Sequence, residues 1–154
     1  MPDVAANPGS TLLIVGGWLS VAAALLHIAC IFGGPDWYRF FGAGEGMARA
    51  AARGDLRPTL ITLAIGAILL IWAAYAFSGA GSLPRLPLLR TGLIAITAIY
   101  LLRGLLFVPL HLWRPQHSDS FAIWSSLIVF CYGAVYAMGT FKAGAILPPE
   151  PLRG

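Results

Sequence analysis

The stretch LIAITAIYLLRGLLFVPL, residues 93–110, decides the fold because it is apolar, long enough to cross a bilayer, and interrupted by a single charge. Arg103 lies near its middle. An arginine at the centre of a membrane helix costs about 2.5–3.5 kcal/mol on insertion scales, and such residues normally face a bundle interior or a wet cavity. The stretch therefore predicts a membrane helix with Arg103 facing a polar site inside a bundle.

The composition also indicates a membrane protein. Of 154 residues, 58% are hydrophobic and only 10% are charged, against about 25% charged in ordinary globular domains. The net charge is +4 and is carried almost wholly by arginine. In a soluble protein this positive charge would suggest a nucleic-acid-binding function. Here the basic residues flank apolar runs, which indicates roles in membrane topology and in contacts with lipid head groups. We predict membrane lipid as a partner and no nucleic acid.

Four apolar runs cover most of the chain, at about residues 11–32, 58–77, 88–110 and 121–141. Each has roughly the 20 residues that a helix needs to cross a hydrocarbon core of about 30 Å. The runs lack strand alternation, and in lipid only helices or closed barrels satisfy the backbone. The sequence predicts an all-α membrane protein, a four-transmembrane-helix bundle that forms one membrane domain over residues 1–154.

Flanking residues refine this topology. Residues 1–10 contain no Lys or Arg, so the first helix is predicted to be retained rather than cleaved as a signal. Both termini are predicted on the same side of a cell inner membrane, and residues 145–154 are predicted to form a disordered tail. The arginines of the two faces are nearly balanced, so they do not fix the orientation.

The connection PDWYRFFGAGEGMARAAARGD, residues 35–55, differs from the other connections. At 100° per residue its aromatic residues share one side and its charged residues the other, which is typical of an interfacial amphipathic segment. Alternating glycines at 42, 44 and 46 predict two short helical pieces with a bend. Two readings stay open: a connector at head-group depth, or a lid over the bundle that carries Glu45 inward.

Two pairs of similar sequence segments suggest that the chain contains an internal duplication. Residues 73–79 resemble residues 134–140, and Leu25-Leu26-His27 matches Leu101-Leu102-Arg103. Two related αα-hairpins would place His27 and Arg103 in equivalent positions about one axis.

Polar residues of several runs collect in the half of the membrane nearest residues 35–55. His27 is predicted about 10 Å from that face and Arg103 about 12–15 Å from it, by helical rise. Glu45 is the predicted counter-charge of Arg103, with Asp119 second. Tyr75 and Tyr136 are predicted as belt residues at the opposite interface. The predicted ligand-binding residues are Arg103, His27, Glu45, Tyr100, Ser125, Trp37, Tyr38 and Arg39.

Three functions are compatible with this pattern. The favoured one is binding of an amphipathic small-molecule ligand, such as a lipid or quinone, with Arg103 at its polar end. The second is a non-enzymatic accessory subunit or assembly partner of a larger membrane complex. The third is a small membrane enzyme with His27 or Glu45 as acid–base, although no catalytic set is recognisable. The sequence has no HExxH, CxxC or i, i+4 histidine pair, and predicts neither a metal nor a cofactor.

Overall fold

The computed structural model describes the backbone of residues 8–113 and 120–144, and the side chains of residues 9–106 and 123–143. This part of the chain contains five helices and no strand: α1 Pro8–Phe40, α2 Glu45–Ala52, α3 Arg57–Gly79, α4 Leu89–Trp113 and α5 Ser120–Gly144. Helices α1, α3, α4 and α5 each contain a segment apolar and long enough to cross a membrane. The predicted fold class, an all-α four-transmembrane-helix bundle, is confirmed. The predicted tail lies outside the described residues.

The four long helices form a ring in which α1 packs against α3 and α5, and α4 packs against α5 and α3. Helices α1 and α5 run antiparallel, because Gly9 lies against Ala143 while Gly139 lies against Leu13. Glycines bring these backbones together, as expected where lipid removes any hydrophobic drive for helices to associate and close packing takes its place.

One half of the ring is closed. This half contains the start of α1, the end of α3, the start of α4 and the end of α5. Leu13 and Leu93 are fully buried there. The α3–α4 connection is fixed by Ser78, whose Oγ donates to the Pro84 carbonyl oxygen at 2.8 Å and accepts from the Leu86 N–H at 3.0 Å. The Tyr75 hydroxyl donates to the Pro87 carbonyl oxygen at 3.2 Å.

In the other half, α3 packs against α1 and α2, and α4 packs against α5. Gly66 of α3 faces Ala24 of α1, and Gly104 of α4 lies against Phe130 of α5. The sides that α3 and α4 would turn toward each other stay exposed. We call this exposed region the α3–α4 opening; it comprises Ile61, Ile65 and Ile68 of α3 and Arg103 of α4.

Helical periodicity places these residues on facing sides. Ile68 lies one turn from Trp72, whose ring packs against Tyr100 of α4 with centroids 4.9 Å apart. Arg103 lies eleven residues, or three turns, beyond Gly92, which meets Tyr75 of α3. The faces of α3 and α4 that touch in the closed half therefore continue into the open half, where their side chains are exposed.

The segment at residues 35–55 consists of two short helical pieces joined by a bend, as predicted. Gly34, with φ 67° and ψ −153°, breaks α1, and the helix resumes to Phe40 rather than ending near residue 32. Such a positive φ favours glycine because no Cβ is in the way. Tyr38 is buried with Cys30 and Ala48. Helix α2 contacts α1 and α3, so the segment covers that side of the bundle.

Candidate functional site

A hydrogen-bonded layer lies between the closed half and the open half; α1, α4 and α5 contribute side chains to it, and α3 contributes a main-chain carbonyl. The Ser20 Oγ lies 2.7 Å from the Tyr136 hydroxyl and 3.0 Å from the Tyr100 hydroxyl. The Tyr136 hydroxyl donates to the Trp72 carbonyl oxygen at 3.3 Å. Ser20 and Tyr136 are completely buried, and Tyr100 is 5% exposed.

The carbonyl oxygen fixes the direction of every bond in this layer. Because it can only accept, the single Tyr136 proton goes to Trp72, and Ser20 must donate to Tyr136. The Ser20 proton is then used, so Tyr100 donates to Ser20. Each hydroxyl thus has its proton engaged, which is how a buried polar group avoids the penalty of an unmade bond.

Aromatic contacts extend the layer. Tyr100 packs edge-on against Tyr132 with centroids 5.8 Å apart, and tilted against Tyr136 at 5.4 Å. The sequence placed Tyr136 in an interfacial belt, which is wrong: the residue lies in the bundle centre because its helix face meets Gly16 of α1. Ser20 was not among the residues predicted from the sequence. The available signal was the similar depth of Ser20, Tyr100 and Tyr136 in three different helices.

Arg103 is exposed at the edge of the α3–α4 opening, which corrects the predicted position inside the bundle. Its neighbours Leu101 and Gly104 face α5, so Arg103 projects from the side of α4 that turns toward α3. Since α3 is not packed there, the guanidinium is not enclosed. Within the described part of the chain it has no hydrogen-bond or ion-pair partner.

Glu45 does not pair with Arg103, and it is not carried inward. Its carboxylate accepts from Arg39 Nε at 2.9 Å and from Arg49 Nε at 3.2 Å, on the exposed side of the interfacial segment. The hydrogen bond from Arg39 holds the pKa of the Glu45 carboxyl below its ordinary value. These solvated pairs avoid the desolvation that burial would require. The lid reading is wrong on this point; Asp119 lies outside the described residues.

His27 and Ser125 lie in the open half. Gly16 meets Tyr136 across the antiparallel α1–α5 pair. Moving eleven residues along each helix preserves the face and reaches His27 on α1 and Ser125 on α5. His27 is half-buried, and its Nδ1 lies 2.7 Å from the Ala23 carbonyl oxygen.

The three predicted ligand residues of the interfacial segment have different surroundings. Tyr38 is buried, and its hydroxyl accepts from the Thr62 hydroxyl at 3.3 Å. Arg39 is held by Asp36 and Glu45. Trp37 is 42% exposed. Tyr38 and Arg39 are engaged within the chain, so their side chains stabilise the segment.

No protein-family model matches the chain, and neither the curated proteins nor the solved structures contain a match to it. Among the described residues, no three His, Cys, Asp or Glu side chains cluster closely enough to hold a metal ion. In the part of the chain that the structure describes, the candidate site consists of the exposed Arg103 on α4 and the half-buried His27 on α1.

Proposed function

We propose that this four-span membrane protein binds an anionic amphiphile, with the anionic head group at Arg103 and the acyl chains along the α3–α4 opening. The observation that carries the proposal is the position of Arg103. It is exposed at the edge of an apolar gap and has no counter-charge in the part of the chain that the structure describes.

The free energy of an arginine in hydrocarbon favours an anionic ligand. An unpaired guanidinium there costs about 2.5–3.5 kcal/mol. A phosphate or carboxylate oxygen forms charge-assisted and often bidentate hydrogen bonds with it, and these strengthen where water is excluded. A neutral quinone offers only carbonyl oxygens, so its gain is smaller.

The walls of the opening suit the apolar part of the same molecule. Ile61, Ile65 and Ile68 leave between 39% and 48% of their surface uncovered. A row of branched aliphatic side chains on α3 offers dispersion contacts to an acyl chain, and Arg103 lies on α4, on the opposite side of the opening. The opening thus offers an apolar wall for acyl chains and a cationic side chain for an anionic head group.

A second candidate, an accessory subunit, rests on the same exposed Arg103. A carboxylate on a transmembrane helix of a partner protein would pair with Arg103 in the same way as an anionic head group. An acid–base role for Glu45 is disfavoured because both its oxygens are held by arginines at the membrane surface.

The test is lipid binding measured by native mass spectrometry on delipidated protein in neutral detergent. Dioleoylphosphatidylglycerol and dioleoylphosphatidylcholine share acyl chains and differ in net charge. We expect the wild type to prefer phosphatidylglycerol about tenfold or more, as one charge-assisted contact would give, and Arg103→Gln to remove the preference.

Arg90→Gln is the matched control, because Arg90 is an exposed arginine of the same helix at its opposite end. It should leave the preference unchanged. Equal binding of the two lipids by the wild type, or equal effects of the two substitutions, would exclude the lipid site and leave the subunit role as the better explanation of Arg103.

A further inference from the structure

We infer that the head group of the ligand carries a free hydroxyl, which is bound between Tyr132 of α5 and His27 of α1. This inference rests on the proposed function and narrows its ligand to an anionic amphiphile with a hydroxyl-bearing head group. Tyr132 was not among the predicted site residues. It follows from a repeat in the packing of α1 against α5.

The repeat is one helical turn long. Tyr136 of α5 reaches Ser20 of α1. Tyr132 precedes Tyr136 by four residues and Ala24 follows Ser20 by four, so in an antiparallel pair Tyr132 is placed toward Ala24 as Tyr136 is toward Ser20. Ala24 has no hydroxyl. The Tyr132 hydroxyl therefore lacks the partner that the equivalent tyrosine has.

The side chain of Tyr132 belongs to the open half. Helical side chains lean toward the N-terminus of their helix, and the N-terminus of α5 is at the open end. The ring is half-buried and rests against Tyr100, with centroids 5.8 Å apart. Within the described part of the chain no hydrogen bond to its hydroxyl is present. The ring contact thus fixes the position of the Tyr132 hydroxyl, which can both donate and accept a hydrogen bond.

His27 supplies an acceptor at the same level. Its Nδ1 lies 2.7 Å from the Ala23 carbonyl oxygen, which can only accept, so Nδ1 carries the proton. The neutral ring then has its lone pair on Nε2. The bond also holds the ring at the level of Ala23 and Ala24, where the repeat places the Tyr132 hydroxyl.

An oxygen that both accepts and donates satisfies this pair. Tyr132 donates to it, and it donates to His27 Nε2. A hydroxyl does both, whereas an ether, an ester carbonyl or a methyl ester cannot donate. With Arg103 at the anionic oxygen, the arrangement fits a glycerol phosphodiester head group better than one that lacks a hydroxyl.

Two anionic lipids separate this inference from the proposed function. Dioleoylphosphatidylglycerol has hydroxyls in its head group, and dioleoylphosphatidylmethanol has the same charge and acyl chains but none. In the same native mass spectrometry measurement, we expect wild-type protein to prefer phosphatidylglycerol over phosphatidylmethanol about five- to tenfold, the ratio that one or two net hydrogen bonds produce.

Tyr132→Phe should reduce that ratio to within about twofold, while keeping the preference for both anionic lipids over phosphatidylcholine. Tyr75→Phe is the matched control: it also removes one phenolic hydroxyl, but from the closed half, where Tyr75 donates to Pro87. It should leave the ratio unchanged. His27→Phe is the second variant and should lower the ratio in the same way as Tyr132→Phe.

The outcomes are distinguishable. If the wild type binds both anionic lipids equally and better than phosphatidylcholine, the hydroxyl inference is wrong and the proposed function stands. If phosphatidylcholine binds equally well, the proposed function is itself wrong. If Tyr132→Phe and Tyr75→Phe lower the ratio equally, the effect is a general one on the fold and the inference is overturned.

Discussion

Ser20 shows how much one hydroxyl can determine in a membrane bundle. It accepts from Tyr100 and donates to Tyr136, and so connects α1 to α4 and α5 at the bundle centre. In lipid no water can replace a lost partner, so each tyrosine depends on this group.

Ser20→Ala should lower the free energy of unfolding by about 1–3 kcal/mol, because it removes two hydrogen bonds of the size measured in membrane proteins and leaves the Tyr100 proton without an acceptor. Loss of helical circular dichroism with rising dodecyl sulfate in mixed micelles measures this. Ser82→Ala, at an exposed position of the α3–α4 connection, is the control. Equal, small losses for both variants would show that the layer does not stabilise the bundle.

Gly104 acts at the scale of helix pairing. A Cβ at this position would lie 2.9 Å from the Cβ of Phe130 and 3.0 Å from its Cα. Neither atom belongs to a flexible chain end, so α4 and α5 would have to separate.

We therefore expect Gly104→Ala to destabilise the protein by about 1–3 kcal/mol, as overpacking does. Gly46→Ala is the matched control, since a Cβ there would meet nothing within 4 Å and alanine is the better helix former by about 1 kcal/mol. The same unfolding titration compares the two. A Gly104→Ala variant as stable as Gly46→Ala would mean that α4 and α5 pack less closely than the structure has them.

The interfacial segment should respond to pH through Glu45. The Arg39 hydrogen bond places the pKa of Glu45 below its ordinary value of 4.5, so folding is favoured by the ionised form. This contribution is complete above pH 4.5 and is lost as pH falls through the lower pKa of the folded state.

A spin label at residue 40, in a chain with Cys30 and Cys131 replaced by alanine, should become more mobile as the pH falls below about 4.5. In Glu45→Gln the mobility should already be high at neutral pH and change much less on acidification. If the mobility of the label does not change with pH in either protein, the ion pairs of Glu45 are not what orders α2.

Across the whole molecule, the two halves of the bundle should differ in mobility. The closed half has interdigitated helices and a fixed α3–α4 connection, whereas in the open half the facing sides of α3 and α4 have exposed side chains. Few packing contacts allow low-energy fluctuation.

Distances between spin labels at residues 61 and 106, on opposite sides of the opening, should be broadly distributed and should narrow when phosphatidylglycerol binds. Labels at residues 71 and 94, exposed positions of the same helices in the closed half, should give a narrow distribution that lipid leaves unchanged. Equal widths for the two pairs would mean that the opening is a rigid part of the fold.

The fold class could be predicted from the sequence because span length, apolar composition and the absence of strand alternation are local properties. The bend in residues 35–55 was predictable for the same reason, since glycine determines backbone freedom within a few residues.

Helix rotation and divergence were decided only by the tertiary structure. Arg103 was expected inside because an arginine in a membrane span normally faces a bundle interior, but it is exposed on the side of α4 that turns toward α3. Glu45 was expected to cross to Arg103, yet Arg39 and Arg49 are nearer and leave it solvated. Tyr136 lies at the bundle centre because the face of α5 that carries it packs against Gly16 of α1. Sequence periodicity defines which residues share a strip, whereas the partner of that strip depends on packing between helices far apart in the chain.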